Sequence, residues 1–246
     1  MKRNLFSVFE LLQTSVHLYR SHCSFFAGYV AWLLLPFGGI VLLNFIPLPT
    51  TILASGMVVF SFVQFFLSFW IGILLVRATG KILSFDTIEP KALQEDAWKL
   101  IKPIAVVSVL QLLIISGGLL LFFIPGFLFL GWFLFAQPAA ILNHRRGLNA
   151  LTYSRYLVRG RFFTALWKNL AGPFFIFISY SFVMAFLLSL YMTITGQDPA
   201  SLVEGIPLWL ETLDGVVQIF LLPFFLIYAT LVYRDFQATL PPLPED

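Results

Sequence analysis

Six long apolar runs, separated by short polar or charged connections, set the hydropathy pattern of this chain. A run of about 20 apolar residues has the length of an α-helix that crosses the ~30 Å hydrocarbon core of a bilayer. Because backbone groups in hydrocarbon must be hydrogen-bonded within the protein, each run is predicted to form a helix. The predicted spans cover about residues 25–46, 52–76, 104–124, 126–142, 169–194 and 215–233. The pattern therefore predicts an all-α membrane protein with six transmembrane helices in a single domain over residues 1–236, followed by a Pro-rich tail over 237–246.

Proline and glycine mark the connections between these spans. Pro47 and Pro49 make the first connection short, and the Pro125-Gly126 dipeptide leaves almost no loop between the third and fourth spans. Successive spans are therefore predicted to pair as three hairpins. Three further prolines lie inside spans, where kinks are expected: Pro36, Pro138 and Pro223.

A shorter amphipathic segment precedes each hairpin, with apolar side chains recurring at helical spacing. This spacing predicts three cytoplasmic helices that lie in the membrane interface. Their apolar stripes are Leu5, Phe9, Leu12, Val16 and Tyr19, then Leu93, Ala97, Leu100 and Ile101, then Ala150, Leu151, Ser154, Leu157 and Val158. Three copies of such a unit could be arranged about a pseudo-threefold axis along the membrane normal, which is a hypothesis. Alternatively, hairpins joined by cytoplasmic linkers show this pattern without being repeats.

The composition excludes several classes of protein. Apolar residues make up 59% of the chain and charged residues only 11%, which cannot cover a water-facing surface and so excludes a soluble enzyme. The net charge of +3 is too small for a nucleic-acid-binding protein. Cys23 is the only cysteine, which excludes an intrachain disulfide and a CxxC metal or redox motif.

The basic residues lie on one side of the predicted membrane. Fourteen of the 15 lysines and arginines fall in residues 1–24, 77–103 and 143–168, and the fifteenth is Arg234, directly after the sixth predicted span. The opposite connections carry only acidic charges, on Asp198, Glu204, Glu211 and Asp214. Because basic residues concentrate in cytoplasmic loops of membrane proteins, both termini are predicted to be cytoplasmic.

Four glutamines lie on four different predicted spans: Gln64, Gln111, Gln137 and Gln218. Two interpretations remain open. The side chains could converge on a polar cavity, as a transporter requires, or each could hydrogen-bond between helices and stabilise packing by ~0.6–2 kcal/mol. The second role is the more common one, and a hydrated cavity would distinguish the two.

The strongest local feature is a set of arginines between the fourth and fifth spans: Arg145, Arg146, Arg155, Arg159 and Arg161. Arg155 and Arg159 are four residues apart, so they project from one face of the third interfacial helix. Guanidinium groups bind phosphate oxygens in a bidentate manner, which predicts a headgroup site for an anionic phospholipid. The alternative is the ordinary positive charge of a cytoplasmic loop.

Residues between Ile124 and Leu166 also carry a recognisable pattern. Its features are the Pro125-Gly126 turn, Pro138, Gly147 with Ala150-Leu151, Ser154, the Leu157-Val158 pair and the Gly160-Arg161-Phe162 exit. This pattern resembles the membrane domain that precedes the catalytic barrel in some glycerophosphoryl diester phosphodiesterases, together with its stand-alone bacterial relatives such as the YciC-like proteins. The resemblance implies a six-span protein of the bacterial cytoplasmic (inner) membrane. It carries over no catalytic residue, because the phosphodiesterase activity belongs to the appended barrel.

No constellation for catalysis or metal binding is predicted. His17, His22 and His144 are scattered, and no acidic residue lies well inside a predicted span, so neither a catalytic residue nor a metal or cofactor site is expected. The sequence favours a non-enzymatic, lipid-interacting scaffold or subunit of a membrane complex. The predicted partners are membrane lipids, including anionic phospholipid, and other membrane proteins, but not nucleic acid. A transporter or channel for a small amphiphile or lipid is the alternative, and an enzyme acting on lipid phosphodiesters is disfavoured.

Overall fold

The computed structural model describes residues 5–47, 49–196 and 207–239. These residues are 87% helical and contain no β-strand. Within them, six stretches of helix are long and apolar enough to cross a membrane: Cys23–Leu43, Thr50–Leu83, Pro90–Leu121, Phe123–Asn143, Phe162–Thr195 and Leu208–Ala238. The predicted all-α class with six spanning helices is confirmed. Most of the predicted Pro-rich tail lies outside the described residues.

The α-helices are numbered in chain order. They are α1 (Val8–Ser21), α2 (Cys23–Val30), α3 (Leu34–Leu43), α4 (Thr50–Leu83), α5 (Pro90–Leu121), α6 (Phe123–Trp132), α7 (Ala136–Asn143), α8 (Leu148–Val158), α9 (Phe162–Thr195) and α10 (Leu208–Ala238). A 3-10 turn, Ala31–Leu33, joins α2 to α3 one turn before Pro36. The first span is therefore α2 with α3, and the fourth is α6 with α7.

Several helices extend beyond the apolar runs that predicted them. α4 continues to Leu83, α9 begins at Phe162, and α10 continues to Ala238. Hydropathy marks only the length of helix that meets hydrocarbon, whereas backbone hydrogen bonding continues into the polar region. As a consequence, two charged residues that lie outside the predicted spans are helical: Lys168 and Asp235.

The first hairpin pairs α3 with the start of α4. Gly39 lies against the ring of Phe60, since a Cβ added at Gly39 would be 2.4 Å from it. Gly56 likewise lies against Leu43, where an added Cβ would be 2.9 Å from the side chain. Residue numbers rise along one helix as they fall along the other, so α3 and α4 are antiparallel. Glycines let helix backbones approach closely, as is common between membrane helices.

The second hairpin turns at Phe122 and not, as predicted, at Pro125-Gly126. Phe122 has extended backbone, with φ −160° and ψ 147°, and it separates α5 from α6. Pro125 lies in the first turn of α6, where it is tolerated because the first N–H groups of a helix have no intrahelical partner. Gly126 packs on α5, since a Cβ added at Gly118 would be 3.0 Å from the Gly126 Cα.

The fourth span is interrupted at residues 133–135, between α6 and α7. Pro138 accounts for the interruption, because it has no N–H to offer the carbonyl one turn earlier and its ring crowds that carbonyl. Ser154 of α8 satisfies the freed backbone groups. Its hydroxyl donates to the Trp132 carbonyl at 2.7 Å and accepts from the Phe135 N–H at 3.0 Å.

The third hairpin pairs the start of α9 with the end of α10. A Cβ added at Gly172 would be 2.2 Å from the ring of Tyr228, so the two helices are in close contact there. One turn earlier on α9, Lys168 lies 3.0 Å from Asp235, which is further along α10. The two helices are therefore antiparallel.

The third amphipathic segment buries the whole apolar stripe predicted for it, and the second buries all of its stripe except Ile101, which is partly exposed. Leu93, Ala97 and Leu100 are at most 8% exposed, and all five stripe residues of α8 are at most 3% exposed. The second segment is not a separate interfacial helix, however, since α5 runs without a break from Pro90 into the third span. Both segments pack against other helices of the protein.

The face of α1 that packs on protein is not the apolar stripe predicted to lie in the membrane interface. Leu11, Ser15 and Leu18 are buried, whereas Phe9 is 67% exposed and Val16 is 44% exposed. This helix carries two apolar stripes. Hydropathy does not distinguish the stripe that packs on protein from the stripe that remains exposed. The stripe that includes Phe9 and Val16 is the uncovered one.

Contacts divide the chain into two compact units. Unit 1 comprises Met1–His22, Phe69–Gly172 and Phe224–Asp246, and unit 2 comprises Cys23–Ser68 and Pro173–Pro223. All 15 basic residues of the sequence belong to unit 1, whereas unit 2 contains four acidic residues and no basic one. The charged sites described below belong to unit 1.

A capping box begins α1. Ser7 Oγ accepts the Glu10 N–H at 3.2 Å, and Glu10 Oε2 accepts the Ser7 N–H at 2.6 Å. These hydrogen bonds, chiefly the one from the Ser7 backbone, lower the pKa of Glu10 below its ordinary value of 4.5.

We expect the contribution of Glu10 to stability to depend on pH. Because the folded-state pKa is depressed, this contribution is complete above pH 4.5 and is lost as the pH falls through the lowered value. Glu10→Gln should therefore lower the melting temperature at pH 7, and the difference from wild type should shrink under acidic conditions. Thermal unfolding in detergent over a pH series measures this, and a difference independent of pH would contradict it.

Candidate functional site

A groove lies along the exposed face of α8, beside the end of α6 and the start of α9. It has a volume of about 590 Å³ and is named here the basic groove. Its walls are formed by Trp132, Thr152, Arg155, Tyr156, Val158, Arg159, Gly160 and Phe162. Two of the five arginines predicted to bind a headgroup, Arg155 and Arg159, thus lie in one site.

The side chain of Arg155 is held by an aromatic ring. Its guanidinium carbon lies 4.3 Å from the centroid of Trp132, a cation–π arrangement. Stacking covers one face of the guanidinium and leaves its N–H edge available. Among the described residues, neither Arg155 nor Arg159 donates a side-chain hydrogen bond or forms an ion pair, and both are exposed. Two cationic groups with unused donors therefore line the groove.

The turn after α8 shapes the far wall of the groove. Arg159 leaves the helix with φ −54° and ψ 126°, and Gly160 follows with φ +76°. A positive φ of this size favours glycine, since a Cβ would crowd the backbone. The chain then enters α9 at Phe162, which faces the groove.

An apolar pocket of about 360 Å³ adjoins the basic groove. Its walls are Phe123, Ile124, Phe127, Leu128, Trp132, Phe162 and Phe163. Trp132 and Phe162 line both spaces. Phe162 is fixed by Gly131, where an added Cβ would be 2.2 Å from its ring, and by Phe127, whose ring centroid is 6.3 Å away. The basic groove and the apolar pocket therefore share a wall of closely packed aromatic rings.

The other three predicted arginines lie apart from the basic groove. The guanidinium of Arg145 lies 5.1 Å from the ring centroid of Tyr153, and Arg146 is exposed. Arg161 donates to Thr239 Oγ1 at 2.6 Å and lies 4.9 Å from the ring centroid of Phe236. The five arginines are thus distributed over separate sites.

Burial affects the ionisation of Arg161. Desolvation lowers its pKa below the ordinary value, and the nearby carboxylate of Asp235 partly offsets this shift. Because an arginine side chain loses its proton only far above neutral pH, the group stays cationic despite this lowering of its pKa. Arg161 therefore contributes positive charge to the packing around the end of α10.

The four glutamines do not hydrogen-bond to one another within the described residues. Gln111 donates to the Phe133 carbonyl at 3.1 Å, beside the break in the fourth span, and Gln137 donates to Ser108 Oγ at 3.3 Å. Both bonds join α5 to the fourth span, as the packing interpretation requires. Gln218 donates to Asp214 of its own helix at 2.7 Å, and Gln64 Oε1 is buried without a partner. None of the four lines the basic groove or the apolar pocket.

Sequence reasoning missed a buried ion pair in unit 1. Lys168 Nζ of α9 lies 3.0 Å from Asp235 Oδ2 of α10, and their side chains are 8% and 3% exposed. Lys168 also donates to the Phe6 carbonyl, and the Phe6 N–H donates to Asp235 Oδ1 at 3.3 Å. The pair therefore joins the segment before α1 to two spanning helices.

One signal in the sequence could have indicated this ion pair. Tyr228, Val232 and Asp235 follow helical spacing along α10, and all three are at most 5% exposed. Extending the apolar stripe past the end of the hydropathy run would have placed the Asp235 carboxylate on the buried face. A buried carboxylate requires a cationic partner. Lys168, which directly precedes the fifth predicted span, is a candidate for that partner.

Cationic and apolar side chains line adjoining spaces in one region of unit 1. The basic groove presents two guanidinium groups with unused donors, and the adjoining apolar pocket is lined by seven apolar side chains. This arrangement can bind a molecule that has an anionic group next to an apolar chain. No protein-family model, curated protein or solved structure matches the chain.

Proposed function

We propose that this chain is a non-enzymatic protein of the bacterial cytoplasmic membrane that binds anionic phospholipid, as a lipid-interacting scaffold or a subunit of a membrane complex. The observation that carries the proposal is the joining of the basic groove to the apolar pocket through Trp132 and Phe162. The resemblance of residues 124–166 to the membrane domain of some glycerophosphoryl diester phosphodiesterases and to YciC-like proteins supports the membrane location alone, since it implies no ligand.

An anionic phospholipid matches both halves of the site. Its phosphate accepts charge-assisted hydrogen bonds from Arg155 and Arg159, whose donors are otherwise unused. One acyl chain lies against Phe127 and Phe162, and each methylene buried there contributes ~0.8 kcal/mol. The stacking of Arg155 on Trp132 orients the guanidinium before the lipid arrives, which reduces the entropy lost on binding.

The proposed orientation places this site where such a lipid is present. With both termini in the cytoplasm, α8 and the basic groove lie at the cytoplasmic surface of the membrane. Anionic headgroups at that surface attract basic side chains with about 1 kcal/mol for each residue near it. The distribution of all 15 basic residues in unit 1 supports this orientation.

The test is lipid retention by the protein purified in mild detergent. Arg155→Gln/Arg159→Gln removes two charged donors, and charge-assisted hydrogen bonds contribute about 1.5–3 kcal/mol each. We therefore expect the affinity for phosphatidylglycerol, measured by native mass spectrometry, to fall by roughly 100-fold or more. Arg155→Lys/Arg159→Lys keeps the charge but loses the bidentate geometry, so its affinity should be intermediate.

The matched control removes two positive charges elsewhere in unit 1. Lys91 and Lys99 are both exposed on the first turns of α5. Lys91→Gln/Lys99→Gln should retain phosphatidylglycerol almost as well as the wild type. An equal loss in both double variants would show that retention follows net charge alone, and the proposal would then be wrong.

A further inference from the structure

A second pocket of unit 1, separate from the basic groove, lies between α1, the end of α4 and the last turns of α10. Its volume is about 510 Å³, and it is named here the Arg234 pocket. Its polar residues are Thr14, Ser84, Arg234, Asp235 and Gln237. The remaining walls are mainly apolar and include Leu11, Leu83 and Leu231. The pocket thus combines a cationic end with an aliphatic lining.

The charge of Arg234 has no carboxylate partner within the described residues. Asp235 is adjacent in sequence, but Lys168 occupies its Oδ2 and the Phe6 N–H occupies its Oδ1. Within the described residues, Arg234 donates only to the neutral Gln237 Oε1, at 3.3 Å, and its Nε is buried without a partner. A half-buried guanidinium in this situation gains stability when an anion binds beside it.

The neighbouring polar groups fit an anionic ligand as well. Gln237 accepts from Arg234 through its Oε1, so its amide NH₂ remains available to donate to an anion. The hydroxyls of Thr14 and Ser84 donate to carbonyls of their own helices, at 2.8 Å and 3.0 Å. Because these two hydroxyl hydrogens are already used, Arg234 and the Gln237 amide are the groups of this pocket that can donate to an anion.

We propose that the Arg234 pocket binds a single-chain anionic amphiphile, with its carboxylate or phosphate monoester on Arg234 and Gln237. The aliphatic chain lies against Leu11, Leu83 and Leu231. The volume lies in the lower half of the range of small-molecule pockets, which favours one chain over the two of a phospholipid. This site is independent of the basic groove, so either proposal can fail without the other.

The experiment measures binding of three probes to the full chain in neutral detergent. Oleate carries a carboxylate, oleoyl lysophosphatidic acid carries a phosphate monoester, and oleyl alcohol carries no charge. Arg234→Gln should weaken binding of at least one anionic probe by tenfold or more and leave oleyl alcohol unchanged. The anionic probe that loses more affinity identifies the headgroup that the pocket prefers. Unchanged affinity for both anionic probes would overturn the proposal.

Two further variants make the result specific. Lys91→Gln/Lys99→Gln, which removes two exposed positive charges outside both sites, should bind the anionic probes with wild-type affinity, and a loss equal to that of Arg234→Gln would overturn the assignment to this pocket. Ala238→Trp, at the exposed rim, fills the pocket and keeps Arg234, so it should weaken binding of all three probes. If Arg234→Gln does not fold, Ala238→Trp carries the test, and wild-type binding by that variant would contradict the proposal.

Discussion

Asp235→Asn is expected to lower the free energy of unfolding by about 3–5 kcal/mol, because it leaves Lys168 charged and buried without its partner. The side chains of Lys168 and Asp235 are 8% and 3% exposed, so water cannot replace the lost interaction. The substitution also weakens the attachment of Phe6, whose N–H donates to the carboxylate. Thermal unfolding in detergent micelles should show a large decrease in Tm.

Two further variants distinguish the buried pair from a general effect of charge. Lys168→Met/Asp235→Leu replaces both charges by apolar groups, and it should be more stable than either single variant. Asp96→Asn removes the partner of Arg77 at 3.2 Å, where Asp96 is 38% exposed, and should cost at most about 1 kcal/mol. A double variant as unstable as the sum of its singles would contradict the account of the pair.

Ser154→Ala is expected to produce the second largest effect. The Ser154 hydroxyl serves both sides of the break in the fourth span, through the Trp132 carbonyl and the Phe135 N–H. Its removal leaves two polar backbone groups unpaired next to a fully buried side chain, at roughly 1–3 kcal/mol for each. Tm should decrease, and hydrogen exchange at the Phe135 amide should accelerate.

The same substitution should disturb the basic groove. Trp132, on which Arg155 stacks, is the residue whose carbonyl Ser154 binds, so its ring loses a fixed position. Retention of phosphatidylglycerol by Ser154→Ala should therefore fall along with stability. Thr152→Ala, on the exposed face of the same helix, is the matched control and should retain nearly wild-type Tm. A Tm decrease of the same size in both variants would contradict the role given to the Ser154 hydroxyl.

The features predicted correctly from the sequence are those that depend on local physics. Apolar runs predict the six spanning helices, because hydrocarbon permits few other backbone structures. At Pro138 the sequence predicts only a kink, whereas the structure has a break between α6 and α7, because a proline inside a helix removes a donor and crowds a carbonyl. The spacing of Ala150, Leu151, Ser154, Leu157 and Val158 predicts the buried face of α8, and all five are buried.

The features that the sequence did not predict depend on contacts between distant segments. The turn at Phe122 is decided by which neighbours pack there, and local pattern does not contain that information. The ion pair joins residues 67 positions apart, and hydropathy places both outside the spans. For the candidate site, the spacing of Arg155 and Arg159 predicts their common face, whereas Trp132 and Phe162 come from other helices.

The most direct test of the central claim is photo-crosslinking with phosphatidylglycerol that carries a diazirine on one acyl chain. Irradiation of the membrane-embedded protein, followed by peptide mass spectrometry, locates the residues next to the chain. The account predicts that labelling is lost in Arg155→Gln/Arg159→Gln and that in the wild type it concentrates on the residues that line the apolar pocket: Phe123, Ile124, Phe127, Leu128, Trp132, Phe162 and Phe163. Labelling spread evenly over the exposed apolar faces of the spanning helices, and unchanged in that variant, would contradict it.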